Sequence, residues 1–314
     1  MERYKKYSTY LKEIYGEKVY KIPVNLPLTC PNRDGEVADG GCTFCGDVAT
    51  GFESLENTID VKSQLEMNIE RMMKRYKAKK YIAYFQNFTN TYMPLNEFKT
   101  SVEQACIDDV VEICISSRPD CIHDAYLEIL EDISKRYNVN ISIELGLQSM
   151  KHETLSNINR GHSLAEFIDA VRRIKYYDFK VGVHLILNLP WDDKSDIIET
   201  AKVMTAMDID LIKIHSLYIL KDTVMGEQYL NEEFSVDTVD TYVDKVVEFI
   251  RYTQPKIAFQ RLLGRAPKED TLFCNWDMSW WKIHDMIEAR LESLEAVQGD
   301  KCDYLNGKAV KKFV

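Results

Sequence analysis

The chain has 314 residues, 45% hydrophobic and 29% charged, with a formal net charge of −10. That length makes one large domain or two ordinary ones and hides about three quarters of the unfolded surface on folding. The mixture excludes a disordered acidic tail, a fibrous repeat and a disulfide-stapled miniprotein. An acidic chain is not steered as a whole onto nucleic acid, so a polyanion would have to meet a local basic patch. No apolar run reaches the 18 or so residues of a membrane span. The polar start, Met1 to Lys6, does not read as a signal peptide. A cytoplasmic location is therefore expected, and a disulfide framework is not.

Val19 to Pro27 reads as a first strand. Leu28 to Thr50, rich in Gly, Asp, Asn and Cys, reads as a long loop, and a loop of that length usually has a task. Val61 to Lys77 follows as a helix with Leu65, Ile69 and Met72 on its apolar stripe. Strands at Tyr81–Gln86, Val110–Ser116, Ile141–Leu147, Val181–Leu187 and Leu211–Tyr218 then alternate with helices. Those helices are expected at Leu95–Ala105, Asp124–Tyr137, Ser163–Tyr176, Lys194–Met207 and Val236–Tyr252. Ile257–Leu263 reads as an edge strand and Trp280–Leu294 as a final helix. Continuous apolar strands alternating with helices predict an α/β fold with a parallel sheet. Right-handed crossovers would curl it into a partial (β/α)6 TIM-like barrel, with a doubly wound sheet as the alternative. The barrel is assigned to residues 1–255, including the loop 28–50, and a small C-terminal extension to residues 256–314.

Three of the eight cysteines, Cys30, Cys42 and Cys45, fall in that one loop. Cys42 and Cys45 are close enough in sequence for one metal centre, and the preceding glycines let Cys30 fold back. No fourth Cys or His is nearby. Three thiolates on a four-iron cluster leave one iron open for an outside ligand. Structural zinc would normally take four protein ligands. Spacing alone leaves an iron–sulfur site, a three-ligand zinc site and unliganded thiols open.

With these cysteines, further segments carry a resemblance. They are Tyr84-Phe85-Gln86, Thr89 to Tyr92, Ser117-Arg118-Pro119-Asp120-Cys121, Glu144 to Ser149, Asn159-Arg160-Gly161-His162, Lys213-Ile214-His215 and Arg261. From about Tyr15 to about Trp281 the chain resembles the radical S-adenosylmethionine (SAM) superfamily. It is most similar to a stand-alone bacterial family related to the Elongator catalytic subunit and to oxygen-independent coproporphyrinogen oxidase. The resemblance implies a [4Fe-4S] cluster on Cys30, Cys42 and Cys45, with SAM on the open iron. It also implies an external one-electron donor such as flavodoxin or ferredoxin, and radical chemistry supplied by the cofactor pair. It points to tRNA as substrate, with a wobble carboxymethylaminomethyl group trimmed to aminomethyl. The rivals are radical chemistry on a small metabolite or tetrapyrrole, and a non-catalytic zinc-dependent RNA-binding module.

Several other positions bear on that chemistry. Tyr84 and Gln86, at a strand end, are expected to help seat SAM; the plain alternative is aromatic core. Glu144 and Gln148 share a strand face. A Glu in an apolar strand is costly to bury without a partner, so SAM is expected beside it, with an internal ion pair to Arg160 as the alternative. Arg160 is expected at the SAM carboxylate and His162 at a helix cap or the substrate. Arg118 suits a bidentate grip on an anion. Lys213 and His215 share a face and, with Arg118, are the expected substrate-facing catalytic residues. His184 lies on the adjacent strand. Asn188 stands where the family more often has Gly. Two surface features suit RNA: six cations between Arg71 and Lys80, and Tyr4, Tyr7, Tyr10 and Tyr15 among lysines near the start. A solvated helix end and ordinary packing are the respective alternatives.

Overall fold

Nine strands and ten α-helices form among the described residues, 2–46, 54–264 and 270–314, of this computed structural model. In chain order they begin with α1 (Tyr7–Tyr15), β1 (Val19–Asn25), α2 (Val61–Tyr76), β2 (Lys80–Gln86), α3 (Leu95–Glu103), β3 (Val110–Ser117), α4 (Asp124–Tyr137) and β4 (Asn140–Gln148). They continue with α5 (His152–Asn157), α6 (Leu164–Tyr176), β5 (Lys180–Ile186), α7 (Lys194–Ala206), β6 (Leu211–His215) and β7 (Tyr218–Leu220). The last are α8 (Val224–Leu230), α9 (Val239–Tyr252), β8 (Ala258–Arg261), β9 (Thr271–Cys274) and α10 (Trp280–Ser293).

Seven strands make one sheet in the order β1-β2-β3-β4-β5-β6-β8. The pairings β1–β2, β2–β3, β3–β4 and β6–β8 are parallel. At least one helix connects each successive strand from β1 to β6, as parallel neighbours require. β8 ends the sheet, where the sequence predicted an edge strand. The strand expected to run to Tyr218 stops at His215, and Tyr218–Leu220 pairs instead with β9, antiparallel. Three-residue strands are too short for a period-2 pattern to show. The helices α1, α5 and α8 escaped the sequence reading.

The chain divides into two compact units. The first comprises Ser8–Leu147 and Asn159–Val183, and the second Met1–Tyr7, Gln148–Ile158 and His184–Val314. In the first unit, Tyr81, Ile82, Ala83, Phe85, Ile113 and Ile115 are buried on β2 and β3. Near-continuous burial is the mark of a strand covered on both faces. Its helices start and stop on local signals. Asp60 accepts from Ser63 N at the start of α2, and Lys77 (φ 52°) ends it. Ser163 and Glu166 form a capping box on α6, which satisfies two amide donors at the helix start. In the second unit, α9 buries Tyr242, Val243, Val246, Val247, Phe249 and Ile250. Tyr4 is buried there, with its hydroxyl 3.0 Å from His284 Nε2 and its ring edge-on to Phe259. Tyr15, in the first unit, donates to Glu112. These two tyrosines are packing residues rather than a base-stacking platform. No helix among the described residues is long and apolar enough to cross a membrane.

Candidate active site

The cysteine loop leaves the carboxyl end of β1; residues 47–50 of its expected span lie outside the described residues. Cys30 and Cys45 are half-buried and Cys42 is buried. Two turns shape the segment. Arg33 N donates to Cys30 O at 2.8 Å, and Cys45 N to Cys42 O at 2.9 Å. Asn32 ties the loop to the rest of the unit. Its Nδ2 donates to Asn159 O (2.6 Å) and lies 3.6 Å from Cys42 Sγ, and its carbonyl accepts from Gly41 N (2.7 Å). Asn159 returns the contact by donating to Gly41 O at 2.8 Å.

Two guanidinium groups face the sulfurs. Arg160 donates from Nη1 to Cys42 Sγ at 3.3 Å, and from Nε and Nη2 to Gly146 O at 3.2 and 2.6 Å. Arg118 is 2% exposed. Its Nε and Nη2 donate to the two carboxylate oxygens of Asp120 at 2.9 and 2.8 Å, and its Nη1 lies 4.0 Å from Cys30 Sγ. Asp120 supplies the counter-charge this buried guanidinium needs. Gly161 has a φ of +76°, and a Cβ there would lie 2.2 Å from Asn32 Oδ1 and 2.8 Å from Val37 Cγ1. Only glycine lets the Asn159–His162 segment pass this close to the loop.

The donor set, three thiols with guanidinium groups facing two of them, fits a four-iron cluster. Among the described residues no three His, Cys, Asp or Glu side chains converge as one ion would need. In a four-iron cluster each thiolate sits on a different iron, so the sulfurs stay apart. Burial, with Cys42 beside it, pushes the Cys45 thiol up to about 11. Metal binding is what would hold such a sulfur deprotonated, and the facing arginines suit thiolates. The carboxyl end of β2 fits a polar ligand. Asn87 Oδ1, Thr89 Oγ1 and Asn90 Oδ1 are buried with no hydrogen-bond partner among the described residues. Asn87 and Phe88 have φ of 79° and 48°. Strained, unsatisfied backbone and side chains of this kind cluster where ligands bind.

Deeper in the first unit, Lys21 on β1 pairs with Glu144 on β4, whose side chain is fully buried. Lys21 Nζ also lies 4.3 Å from the centroid of the Tyr84 ring, and Tyr84 Oη accepts from Ser116 Oγ at 3.0 Å. The expected ion-pair partner of Glu144 was Arg160; it is Lys21. The signal was legible, since a lysine inside Val19–Asn25 raises the same burial question as Glu144. Gln86 lies at the end of β2 and donates to Ser54 Oγ at 2.8 Å.

His162 packs its Nε2 3.2 Å from Gly146 O and its Nδ1 3.3 Å from Ser163 O. Burial and then the charges of Arg160 and Arg118 push its pKa down to about 4. The unfolded chain takes up this proton below about pH 6.5, the folded one only near 4. Stability is therefore whole above about pH 6.5 and declines as pH falls towards 4, by on the order of 3 kcal/mol in all. Urea midpoints at pH 7 and pH 5 are expected to separate for the parent chain and to separate less for His162→Gln. Equal separation in both chains would refute the assignment.

The second unit carries the remaining sequence candidates. Gln148 ends β4 with a φ of 75°, a strained conformation for a residue other than glycine. Lys213 pairs in register with Arg261 across β6 and β8. Arg261 Nη2 lies 2.6 Å from His215 Nδ1. Arginine has no acceptor, so a ring nitrogen of His215 accepts this bond. The His184 and His215 rings are 5.2 Å apart. Asn188 is buried and its Oδ1 accepts from Leu217 N at 2.7 Å. A side chain thus replaces the glycine expected there by tying two loops together. In the first unit, Cys114 on β3 is buried.

Comparison with known proteins matches residues 30–204 to the Radical SAM superfamily and residues 209–293 to the Radical_SAM C-terminal domain. The uncharacterized protein YtqA of Bacillus subtilis is 35% identical over 299 residues, 95% of this chain and 92% of that one. The tRNA uridine(34) acetyltransferase of Methanocaldococcus infernus is 27% identical over 150 residues, 46% of this chain and 27% of that one. Among solved structures, Elp3 of Methanocaldococcus infernus with an N-terminal deletion superposes with a TM-score of 0.68 at 16% identity. That match covers 89% of this chain and 64% of the solved one, and it places the fold in the α/β partial-barrel class of radical SAM proteins. A three-cysteine loop braced by two arginines, on that fold and under that profile, has one reading: the chain belongs to the radical SAM superfamily and is an enzyme that uses a [4Fe-4S] cluster and SAM.

Proposed function

We propose that the substrate is tRNA. In this reading wobble 5-carboxymethylaminomethyl-(2-thio)uridine is converted to 5-aminomethyl-(2-thio)uridine. The supporting observation is the match over 150 residues to a tRNA uridine(34) acetyltransferase, taken with the basic face of β6 and β8. When bound, the cluster and SAM would supply hydrogen-abstracting radical chemistry, given an electron from an external donor.

The chain's own residues then have these parts. Cys30, Cys42 and Cys45 hold the cluster. Arg160 and Asn32 stabilise the Cys42 thiolate. Arg118, locked by Asp120, sets a positive charge beside Cys30 and the anions bound next to it. Tyr84, Gln86, Glu144 and Gln148 seat SAM, with Lys21 paired to Glu144. Lys213 and Arg261 hold the substrate carboxylate, and His215 orients Arg261.

Mass spectrometry of tRNA nucleosides from cells with and without the gene tests this reading. Accumulation of the carboxymethylaminomethyl nucleoside in the deletion strain is the expected result. An unchanged nucleoside profile would move the reading to a small metabolite or tetrapyrrole. One zinc per chain in place of iron and sulfide would remove radical chemistry altogether.

A further inference from the structure

We propose that the last turns of α2 and the start of β2 form a docking surface for the phosphate backbone of RNA, set apart from the chemical site. The proposal rests on the tRNA reading for the identity of the polyanion. Its own evidence is the charge and exposure of one segment of the first unit.

Between Arg71 and Lys80 the chain carries six cations and no acid, although its net charge is −10. Arg71, Lys74, Arg75, Lys77 and Lys79 are all exposed. Lys74 pairs with Glu70 and Lys80 with Glu17. Among the described residues no ion pair involves Arg71, Arg75, Lys77 or Lys79. A helix dipole explains cations only in the last turn. That accounts for Lys74, Arg75 and Lys77. It does not account for Arg71, a turn earlier, or for Lys79, beyond the helix end.

Aromatic surface accompanies the charge. Tyr76 is 44% exposed. It stacks on Tyr20 with 5.4 Å between ring centroids, and Arg75 lies 5.0 Å from its ring centroid. An exposed aromatic ring among cations without ion-pair partners suits a polynucleotide, which offers both phosphates and bases.

The position also selects a long ligand. Val19 pairs with Lys80 at the amino ends of β1 and β2, and Asn25 pairs with Gln86 at their carboxyl ends. The cysteine loop follows Asn25, so about 20 Å of strand separates the patch from the cluster end. A small metabolite at the cluster end cannot also reach Arg71 or Lys79. A folded RNA, with a phosphate every few ångströms, reaches both.

The test uses the full chain and a fluorescein-labelled anticodon stem-loop RNA. Binding is followed by anisotropy across a salt series. Arg71→Gln, Arg75→Gln, Lys77→Asn and Lys79→Gln are combined in one variant. Glutamine keeps helix propensity, and asparagine tolerates the left-handed backbone at position 77. Circular dichroism confirms the fold. The salt slope of log affinity is expected to fall by about 3, since each lost phosphate contact removes about 0.7–0.9. Affinity at moderate salt is expected to drop by about 30-fold or more. A control variant with Lys308, Lys311 and Lys312 changed to Gln is expected to bind like the parent chain. An unchanged slope in the four-residue variant overturns the proposal. So does loss of pelleting with phosphatidylserine vesicles while RNA binding stays intact, because the surface would then be a membrane contact. Salt-dependent RNA binding through these residues, with wobble nucleosides unchanged in cells, sustains this surface and defeats only the assigned reaction.

Discussion

Alanine at Cys30, Cys42 or Cys45 is expected to abolish the visible absorption of the cluster and to cut 5′-deoxyadenosine release from SAM. The loss is about a thousandfold or more for each single change, and no larger for all three together. Residues that act as one unit are not additive, and two thiolates do not retain a four-iron cluster that needs three. The structure sharpens this expectation. All eight cysteines are free, so no disulfide competes, and Cys42 receives hydrogen bonds from both Arg160 and Asn32. Cys302→Ala is the control and is expected to leave iron content unchanged. Iron and sulfide that persist in the triple variant would refute the assignment of these ligands.

Gly161→Ala is the second large effect, and Gly40→Ala is its comparison. Both glycines have positive φ, +76° and +74°. An alanine at either costs about 1–2 kcal/mol from backbone conformation alone. At Gly40 nothing lies within 4 Å of the added Cβ, so the cost ends there. At Gly161 the same atom would lie 2.2 Å from Asn32 Oδ1, 2.8 Å from Val37 and 3.3 Å from Arg118 Nη2. Asn32 must then give up Cys42 and Asn159 O, and Arg118 must shift from its place beside Cys30. Support shells of this kind are worth about 10–100-fold in metal affinity. Iron retained under a chelator challenge is therefore expected to fall by about that factor in Gly161→Ala and by little in Gly40→Ala. Equal retention in the two variants would show that the close approach has no bearing on the cluster.

Much of this centre was legible in one dimension. Cys30, Cys42 and Cys45 share one loop, which marks a candidate metal centre in sequence while leaving a cluster, a three-ligand zinc site and free thiols open; the resemblance carried by the other segments decided for the cluster. Apart from α5, the strand and helix order from β1 to β6 followed from apolar patterning, because a sheet covered by helices imposes continuous burial on each strand. Glu144 announced itself as an acid in an apolar strand, a cost that some partner must offset.

Only the tertiary structure decided which partner. Lys21 lies 123 residues from Glu144, and nothing local in β1 or β4 encodes that they meet. The same holds for Arg160, which bonds Cys42 and the Gly146 carbonyl from 118 and 14 residues away. The need for glycine at 161 is also invisible in its neighbours, since Asn32 and Val37 come from the cysteine loop. Composition and periodicity report what each segment buries. Which groups face one another across a parallel sheet is set by register and crossover, and those exist only once the chain has folded.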